Sequence, residues 1–267
     1  SITSALNDLV PLPSTEGKGW KLKIITGKLS HKEDLSWVLV HEVQSLSKTR
    51  TDAASLSALK QLLASGADPN AYKAAALCHA VIAANTQVVD MLFASSHPPT
   101  PAALGTALPH ALRISEPMER LALAKKLVEA GAHPLEGNRA LTHAIATYPE
   151  DVGLLKVLAA AADTSDGEAL SMSVAKEVPE ILDILLKQSQ CSVSSRSATL
   201  GKAMEAKNRS ARQRMCQSLL KAGVSPEAAS SALLVAARDG DSPLGDLLMA
   251  HGASIANNGG QAIVEAC

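Results

Sequence analysis

The chain has 267 residues, of which 46% are hydrophobic but only 2% aromatic, so alanine and leucine carry most of the apolar content. The formal net charge of -1 at pH 7 argues against bulk electrostatic attraction to nucleic acid or an anionic membrane. No apolar run is long enough to span a bilayer, and the four cysteines form no CxxC pair; we therefore expect a soluble cytoplasmic or nuclear protein with reduced thiols.

Residues 1–31 differ from the rest of the chain. ALNDLV at 5–10 is compatible with a short helix that Pro11 and Pro13 end, and a lysine-rich stretch with the β-favouring core LKII follows. No basic flank and no long apolar run precede them, so this is not a signal peptide. We predict a divergent N-terminal cap, or a segment packed over the region that follows, with Trp20 covering its apolar end.

A hexapeptide recurs along the remaining chain. ALCHAV at 76–81, ALPHAL at 107–112 and ALTHAI at 140–145 share the pattern Ala-Leu-x-His-Ala-aliphatic, and their leucines are 31 and 33 residues apart. Further apolar positions continue this register at Leu170, Leu200, Leu233 and Ile263, and Leu39 fits with a longer gap of 38 residues. Marks at such regular intervals predict internal repeats.

Amphipathic runs lie between these marks. ALKQLLASGADPN at 58–70 and LAKKLVEAGAHP at 123–134 have apolar residues three and four positions apart, which predicts helices. A glycine just past the last turn supplies the left-handed residue that ends many helices, and we expect this role for Gly66, Gly131, Gly223 and Gly252. Each unit is therefore a helix, a turn, a second helix and a loop, and stacked units bury a common core.

Several of these segments resemble ankyrin repeats. ALKQLLASGADPN resembles the second helix and loop of such a repeat, and TALPHA at 106–111 and SALLVAARDG at 231–240 resemble its first helix. The full TPLH motif of the family does not occur. The resemblance implies an all-α, ankyrin-like solenoid of about seven helix-turn-helix repeats over residues 32–267, with a truncated last repeat.

Pro109 fits into the first helix of its repeat if that helix begins at Thr106. Thr106 is then the N-cap, and Pro109 falls in the first turn, where backbone N–H groups have no intrahelical partner. We therefore expect the proline to be tolerated without a kink.

The histidine of the hexapeptide lies away from the leucine. At about 100° per residue, Leu77, Ala80 and Val81 share one helix face and His79 lies opposite. Three interpretations remain open: imidazoles that hydrogen-bond the backbone of a neighbouring repeat, a polar stripe along a concave groove that contacts a partner, or a chain of metal sites. Repeats roughly 10 Å apart are too distant for two imidazoles to share one zinc ion.

Candidate contact residues follow from this geometry. We expect a partner to bind the concave-face histidines and the loop tips, at His79, His110, His143, Tyr72, Lys73 and Arg139. A basic cluster is either a solvated surface or a docking patch for an acidic peptide or a phosphate; it consists of Arg196, Lys202, Lys207, Arg209, Arg212 and Arg214.

No nucleotide-binding or hydrolase motif occurs in the sequence. We predict a non-catalytic protein–protein interaction module that binds a peptide or protein along the concave groove and loop tips, with no cofactor, metal, nucleic acid or small-molecule substrate. Because the chain lacks an initial Met and ends within a predicted helix, we expect a piece of a larger protein. The alternatives are a regulatory or targeting solenoid of an enzyme or receptor whose catalytic part lies outside this sequence, and a solenoid that packs against another domain of its own chain.

Overall fold

The computed structural model describes residues 32–46, 52–188, 191–254 and 256. Over these ranges the chain forms fourteen α-helices and no β-strand, which confirms the predicted all-α class. The chain divides into two compact units, Ser1–Gly137 and Asn138–Cys267. The predicted cap at 1–31 with Trp20, and the repeat mark Ile263, lie outside the described residues, so the domain division at residue 31 stays a prediction.

The first unit contains helix hairpins in chain order. Its described helices are α1 (Lys32–Ser45), α2 (Ala53–Ala64), α3 (Ala71–Ile82), α4 (Thr86–Phe93), α5 (Pro101–Ala111) and α6 (Pro117–Glu129). Helix α1 packs on α2, α3 on α4 and α5 on α6; α3 also packs on both α1 and α5, and α2 contacts α4. First helices therefore stack on first helices, and second helices on second helices.

The second unit repeats this arrangement. Its described helices are α7 (Pro134–Thr147), whose first four residues belong to the first unit, α8 (Val152–Ala161), α9 (Glu168–Ala175), α10 (Pro179–Gln188), α11 (Val193–Met204), α12 (Arg209–Ala222), α13 (Pro226–Arg238) and α14 (Ser242–Ala250). Helices α9, α11 and α13 pack in one row, and α8, α10, α12 and α14 pack in a second row. Hairpin contacts join the rows at α9–α10, α11–α12 and α13–α14.

The repeat marks lie in the core, as predicted. Six of the marker leucines are fully buried and Leu233 is 5% exposed; the six are Leu39, Leu77, Leu108, Leu141, Leu170 and Leu200. Burying a leucine side chain contributes roughly 1.5–3 kcal/mol, so the same position in each hairpin provides a comparable part of the packing energy.

Helix ends follow the signals in the sequence. The four predicted C-terminal glycines all have positive φ, at 97° for Gly66, 94° for Gly131, and 90° for both Gly223 and Gly252. At the other end, polar side chains accept a hydrogen bond from a first-turn N–H, as expected of N-caps. These caps are Asp52, Asn85, Thr100, Asp151, Ser192, Asn208 and Ser225.

The predicted start of α5 at Thr106 is wrong. Thr100 is the N-cap, with its hydroxyl 3.3 Å from the Ala103 N–H, and Pro101 occupies the first helical position. A Thr-Pro pair combines a capping hydroxyl with a preset φ, so it starts the helix before Thr106 is reached. Thr106 donates instead to the Ala102 carbonyl at 2.9 Å, and Pro109 lies near the C-terminal end of α5.

A serine in the first helix fixes the loop that leaves its hairpin. In three hairpins its hydroxyl accepts the backbone N–H two residues after the C-terminal glycine: Ser36 from Asp68 (2.8 Å), Ser197 from Ser225 (2.8 Å) and Ser230 from Ser254 (3.0 Å). The shared bond shows that these hairpins close in the same way. The hexapeptide pattern does not predict this hydrogen bond, because only some of the hairpins have a serine at the corresponding position.

Polar contacts also join neighbouring hairpins of the second unit. The Glu177 carboxylate accepts the backbone N–H groups of Lys207 at 2.8 Å and Asn208 at 3.1 Å, where α12 begins. An acidic side chain at a helix N-terminus satisfies donors that have no intrahelical partner. The turn between α9 and α10 is thereby attached to the turn between α11 and α12.

Candidate functional site

The predicted contact histidines lie at three different depths. His79 on α3 is 2% exposed, His110 on α5 is half-buried, and His143 on α7 is exposed. Burial lowers the pKa of His79 from 6.5 to about 4, with a smaller contribution from His110, and burial also lowers the pKa of His110, helped by Arg113. The imidazoles of α3 and α5 are therefore neutral at physiological pH.

The interpretation of hydrogen-bonded imidazoles fails at His79. Neither ring nitrogen of His79 has a hydrogen-bond partner, and Nδ1 of His110 has none. A buried polar group without a partner costs free energy, so the His79 ring does not stabilise the stack through hydrogen bonds. In the described ranges no group of three or more His, Cys, Asp or Glu side chains is arranged to hold a metal ion.

Burial of His79 follows from the surroundings of α3. All residues from 74 to 81 are buried, whichever helix face they occupy. Helices α1, α4 and α5 pack around α3, and the small side chains of Ala75, Ala76 and Ala80 let them approach closely. In this segment α3 has no open face, and the exposed side chains of the helix are Tyr72 and Lys73 near its N-terminal end.

Tyr72 and Lys73 form that exposed end. Tyr72 is 42% exposed and Lys73 is exposed, whereas the following Ala74 is buried. The three residues have φ values of 52°, 57° and 58°, a left-handed turn made without glycine. Such a conformation costs roughly 1–2 kcal/mol per residue. The surrounding structure holds this strained turn, which presents Tyr72 and Lys73 to solvent.

The loop before this turn is fixed to the next hairpin. The Asn70 side chain accepts the Thr100 N–H at 2.7 Å and donates to the Pro98 carbonyl at 3.2 Å. Asn70 also bonds Asp68 through both its backbone N–H and its side chain, at 3.0 Å each. These bonds limit the freedom of the backbone immediately before Tyr72, which is consistent with a preformed contact point.

Arg139, predicted to lie at a loop tip, lies within α7 instead and forms an exposed pair with His143 there. They are four residues apart, so their side chains lie on the same helix face, and both are exposed. The start of the helix is held by Asn138, whose side chain donates to the Asp163 carbonyl in the loop after α8. The predicted contact residues thus form one exposed group in each unit: Tyr72 and Lys73 in the first, Arg139 and His143 in the second.

The basic cluster is largely engaged within the protein. Arg209 and Arg212 bind Asp241, Arg212 also binds Asp239, and Arg214 binds Glu180, with N–O distances of 2.8 to 3.1 Å. Arg196 donates to the Gly223 carbonyl at 2.7 Å. Four of the six basic residues therefore serve internal contacts, which favours the interpretation as a solvated surface over a docking patch.

A surface groove that the sequence analysis did not identify lies between α8 and α10. It has a volume of about 300 Å³ and is lined by Val152, Lys156, Glu180, Asp183, Ile184 and Lys187. The α8 residues are four positions apart, and those of α10 follow helical spacing along one face. Neither helix carries a motif, so only the packing of α8 on α10 reveals the groove.

No protein-family model matches the chain, and no curated protein and no solved structure matches it either. None of the described helices combines the length and the apolar character needed to cross a membrane. Any function must therefore be argued from the geometry of the chain itself.

Proposed function

We infer that the chain is a non-catalytic protein–protein interaction module of the ankyrin-like solenoid class. The observation that carries this proposal is the shared contact pattern of the helix hairpins, in which first helices stack on first helices in both units. Repeats of this kind present equivalent surface positions from hairpin to hairpin, a suitable basis for binding an extended or folded partner.

Exposed side chains on the first helices and loop tips would make the contacts. Arg139 and Tyr72 combine exposure with residue types that are enriched at interfaces, and the exposed His143 and Lys73 lie beside them. His79 is too deeply buried to touch a partner, and His110 offers only part of its ring. The proposed binding surface is therefore narrower than the histidine stripe predicted from the sequence.

The buried cysteines support a reducing compartment. Cys78 and Cys216 are free and buried. Unpaired thiols in a chain of this size are typical of cytoplasmic and nuclear proteins, where we propose that the module acts.

Affinity capture from cells tests the proposal. We compare the wild type with the double variant Arg139→Glu, His143→Glu and with the control Lys60→Glu, Gln61→Glu, which makes the same charge change at exposed positions of α2. The proposal predicts that at least one captured protein is lost from the Arg139/His143 variant only. Identical captured sets from all three folded proteins contradict it.

A second pair of variants tests the loop tip. Tyr72→Ala removes the exposed aromatic ring, and the matched control Met118→Ala removes a side chain that is 74% exposed on α6. Tyrosine is a frequent interface anchor, so Tyr72→Ala should weaken capture of a partner that uses the first unit. Equal effects of the two truncations are incompatible with a specific contact at Tyr72.

A further inference from the structure

The groove between α8 and α10 has an apolar floor and charged sides. Val152 is 40% exposed and Ile184 is 8% exposed. Together they form an apolar surface that is partly in contact with solvent. Residues 180 to 187 span about 10 Å along α10, roughly the length of three extended residues. The volume of about 300 Å³ suits one apolar side chain with its neighbours.

The two acids of the groove are already engaged by α12. Glu180 Oε1 lies 2.8 Å from Arg214 Nη2, and Asp183 Oδ1 accepts the Ser218 hydroxyl at 2.5 Å. These contacts attach both carboxylates to the neighbouring hairpin. The arginine largely compensates the charge of Glu180.

The two lysines of the groove have no such partners. Within the described part of the chain neither Lys156 nor Lys187 makes an ion pair, and both are exposed. One lysine comes from each helix that forms the groove. With Glu180 paired to Arg214, the two lysines exceed the one negative charge left on Asp183, so the net charge beside the apolar floor is positive.

We propose that this groove binds an acidic peptide segment that inserts one apolar side chain between flanking carboxylates. The apolar residue packs on Val152 and Ile184, and the carboxylates meet Lys156 from α8 and Lys187 from α10. Charge complementarity selects this occupant over a basic segment such as the lysine-rich stretch of this chain at 18–32. The inference goes beyond the proposed function because it concerns the row of second helices, not the first helices.

Peptide binding to the purified full chain tests the proposal. A fluorescent peptide with Glu-Asp-Leu-Asp-Glu between glycine–serine flanks is titrated and followed by anisotropy. Two further peptides replace the leucine by serine or every acid by lysine. We expect saturable binding of the first peptide, at least about fivefold weaker binding of the serine peptide, and no binding of the lysine peptide.

Protein variants locate the site. Lys156→Glu with Lys187→Glu should weaken binding at least about tenfold, whereas Lys202→Glu with Lys221→Glu, exposed lysines of the same unit, should change it less than about twofold. Val152→Ser should weaken binding without changing the fold, because its side chain is partly exposed. Circular dichroism verifies that each variant is folded.

Four outcomes overturn the proposal. They are no saturation up to about 1 mM peptide, equal loss in both lysine pairs, equal affinity for the leucine and serine peptides, and self-association that the groove variant abolishes, which assigns the groove to a second copy. The capture experiment with Arg139 and His143 uses other residues and another readout. Failure of one proposal is thus distinguishable from failure of the other.

Discussion

Arg212 and Asp241 form an ion pair between two neighbouring hairpins. Arg212 Nη2 on α12 lies 3.1 Å from Oδ2 of Asp241, the residue before α14, and Asp241 is 4% exposed. Arg209 contacts the other carboxylate oxygen at 2.9 Å, and Asp239 binds Arg212 Nη1 at 3.1 Å. The hydrogen bond from Arg209, with the charges of both arginines, lowers the pKa of Asp241.

Removing the arginine of this pair should destabilise the second unit. Arg212→Leu leaves the buried Asp241 carboxylate with Arg209 alone, and we expect a loss of about 2–4 kcal/mol in the free energy of unfolding. Urea denaturation of the full chain measures it. The control Arg214→Leu breaks a pair whose side chains are 54% and 52% exposed, and it should cost less than about 1 kcal/mol. Equal losses of unfolding free energy in Arg212→Leu and Arg214→Leu would show that burial of Asp241 is unimportant.

The buried histidine of α3 should make stability depend on pH. The pKa of His79 in the folded protein, about 4, lies below the unfolded value of 6.5. As the pH falls between these values the unfolded chain binds a proton that the folded chain does not, so stability is lost at up to about 1.4 kcal/mol per pH unit. Above pH 6.5 this contribution to stability is constant.

Substitution of His79 tests that linkage. His79→Leu removes the group that must stay neutral, so its free energy of unfolding should fall less between pH 6.5 and pH 4 than that of the wild type. His143→Leu, at an exposed position, should leave the wild-type slope unchanged. If the free energy of unfolding changed with pH in parallel for all three proteins, the assignment of a low pKa to His79 would be contradicted.

The left-handed turn at the start of α3 should be relieved by glycine. Lys73 has a φ of 57°, which glycine adopts without the clash of a Cβ atom. We expect Lys73→Gly to raise the free energy of unfolding by about 0.5–1 kcal/mol. Ala102→Gly, at an exposed position of regular helix in α5, should lower it by about the same amount. If both substitutions changed the free energy of unfolding in the same direction, residue 73 would be unstrained.

The core thiols should resist alkylation. Burial raises the pKa of Cys78 and of Cys216 to about 12, and both side chains are fully buried. Because the thiolate is the nucleophile, iodoacetamide at pH 8 should label neither residue in the native protein and both in urea. Peptide-resolved mass spectrometry measures each residue separately. Native labelling of Cys78 at the unfolded rate would contradict its burial.

Local signals predicted much of the fold. The marker leucines are buried and Gly66, Gly131, Gly223 and Gly252 end helices, because leucine spacing and a left-handed glycine act within one helix or one turn. The start of α5 was missed because two threonines compete for the N-cap, and only Thr100 is followed by proline at the first helical position.

The candidate site was less predictable because it depends on contacts distant in the sequence. His79 and His143 occupy the same place in the hexapeptide, but His79 lies in a helix that α1, α4 and α5 surround and is buried, whereas His143 is exposed. The partners of Arg209 and Arg212 follow α13, about thirty residues later. The left-handed turn at Tyr72 has no glycine to indicate it.

Site-specific photo-crosslinking from position 143 tests the central claim, that the exposed face of α7 contacts a partner. A photoreactive amino acid replaces His143 in one protein and Lys60, exposed on α2, in another. Illumination in cells should yield a discrete adduct of higher mass from position 143, reduced by Arg139→Glu, and none from position 60. No adduct from position 143, or the same adducts from both positions, would contradict the account.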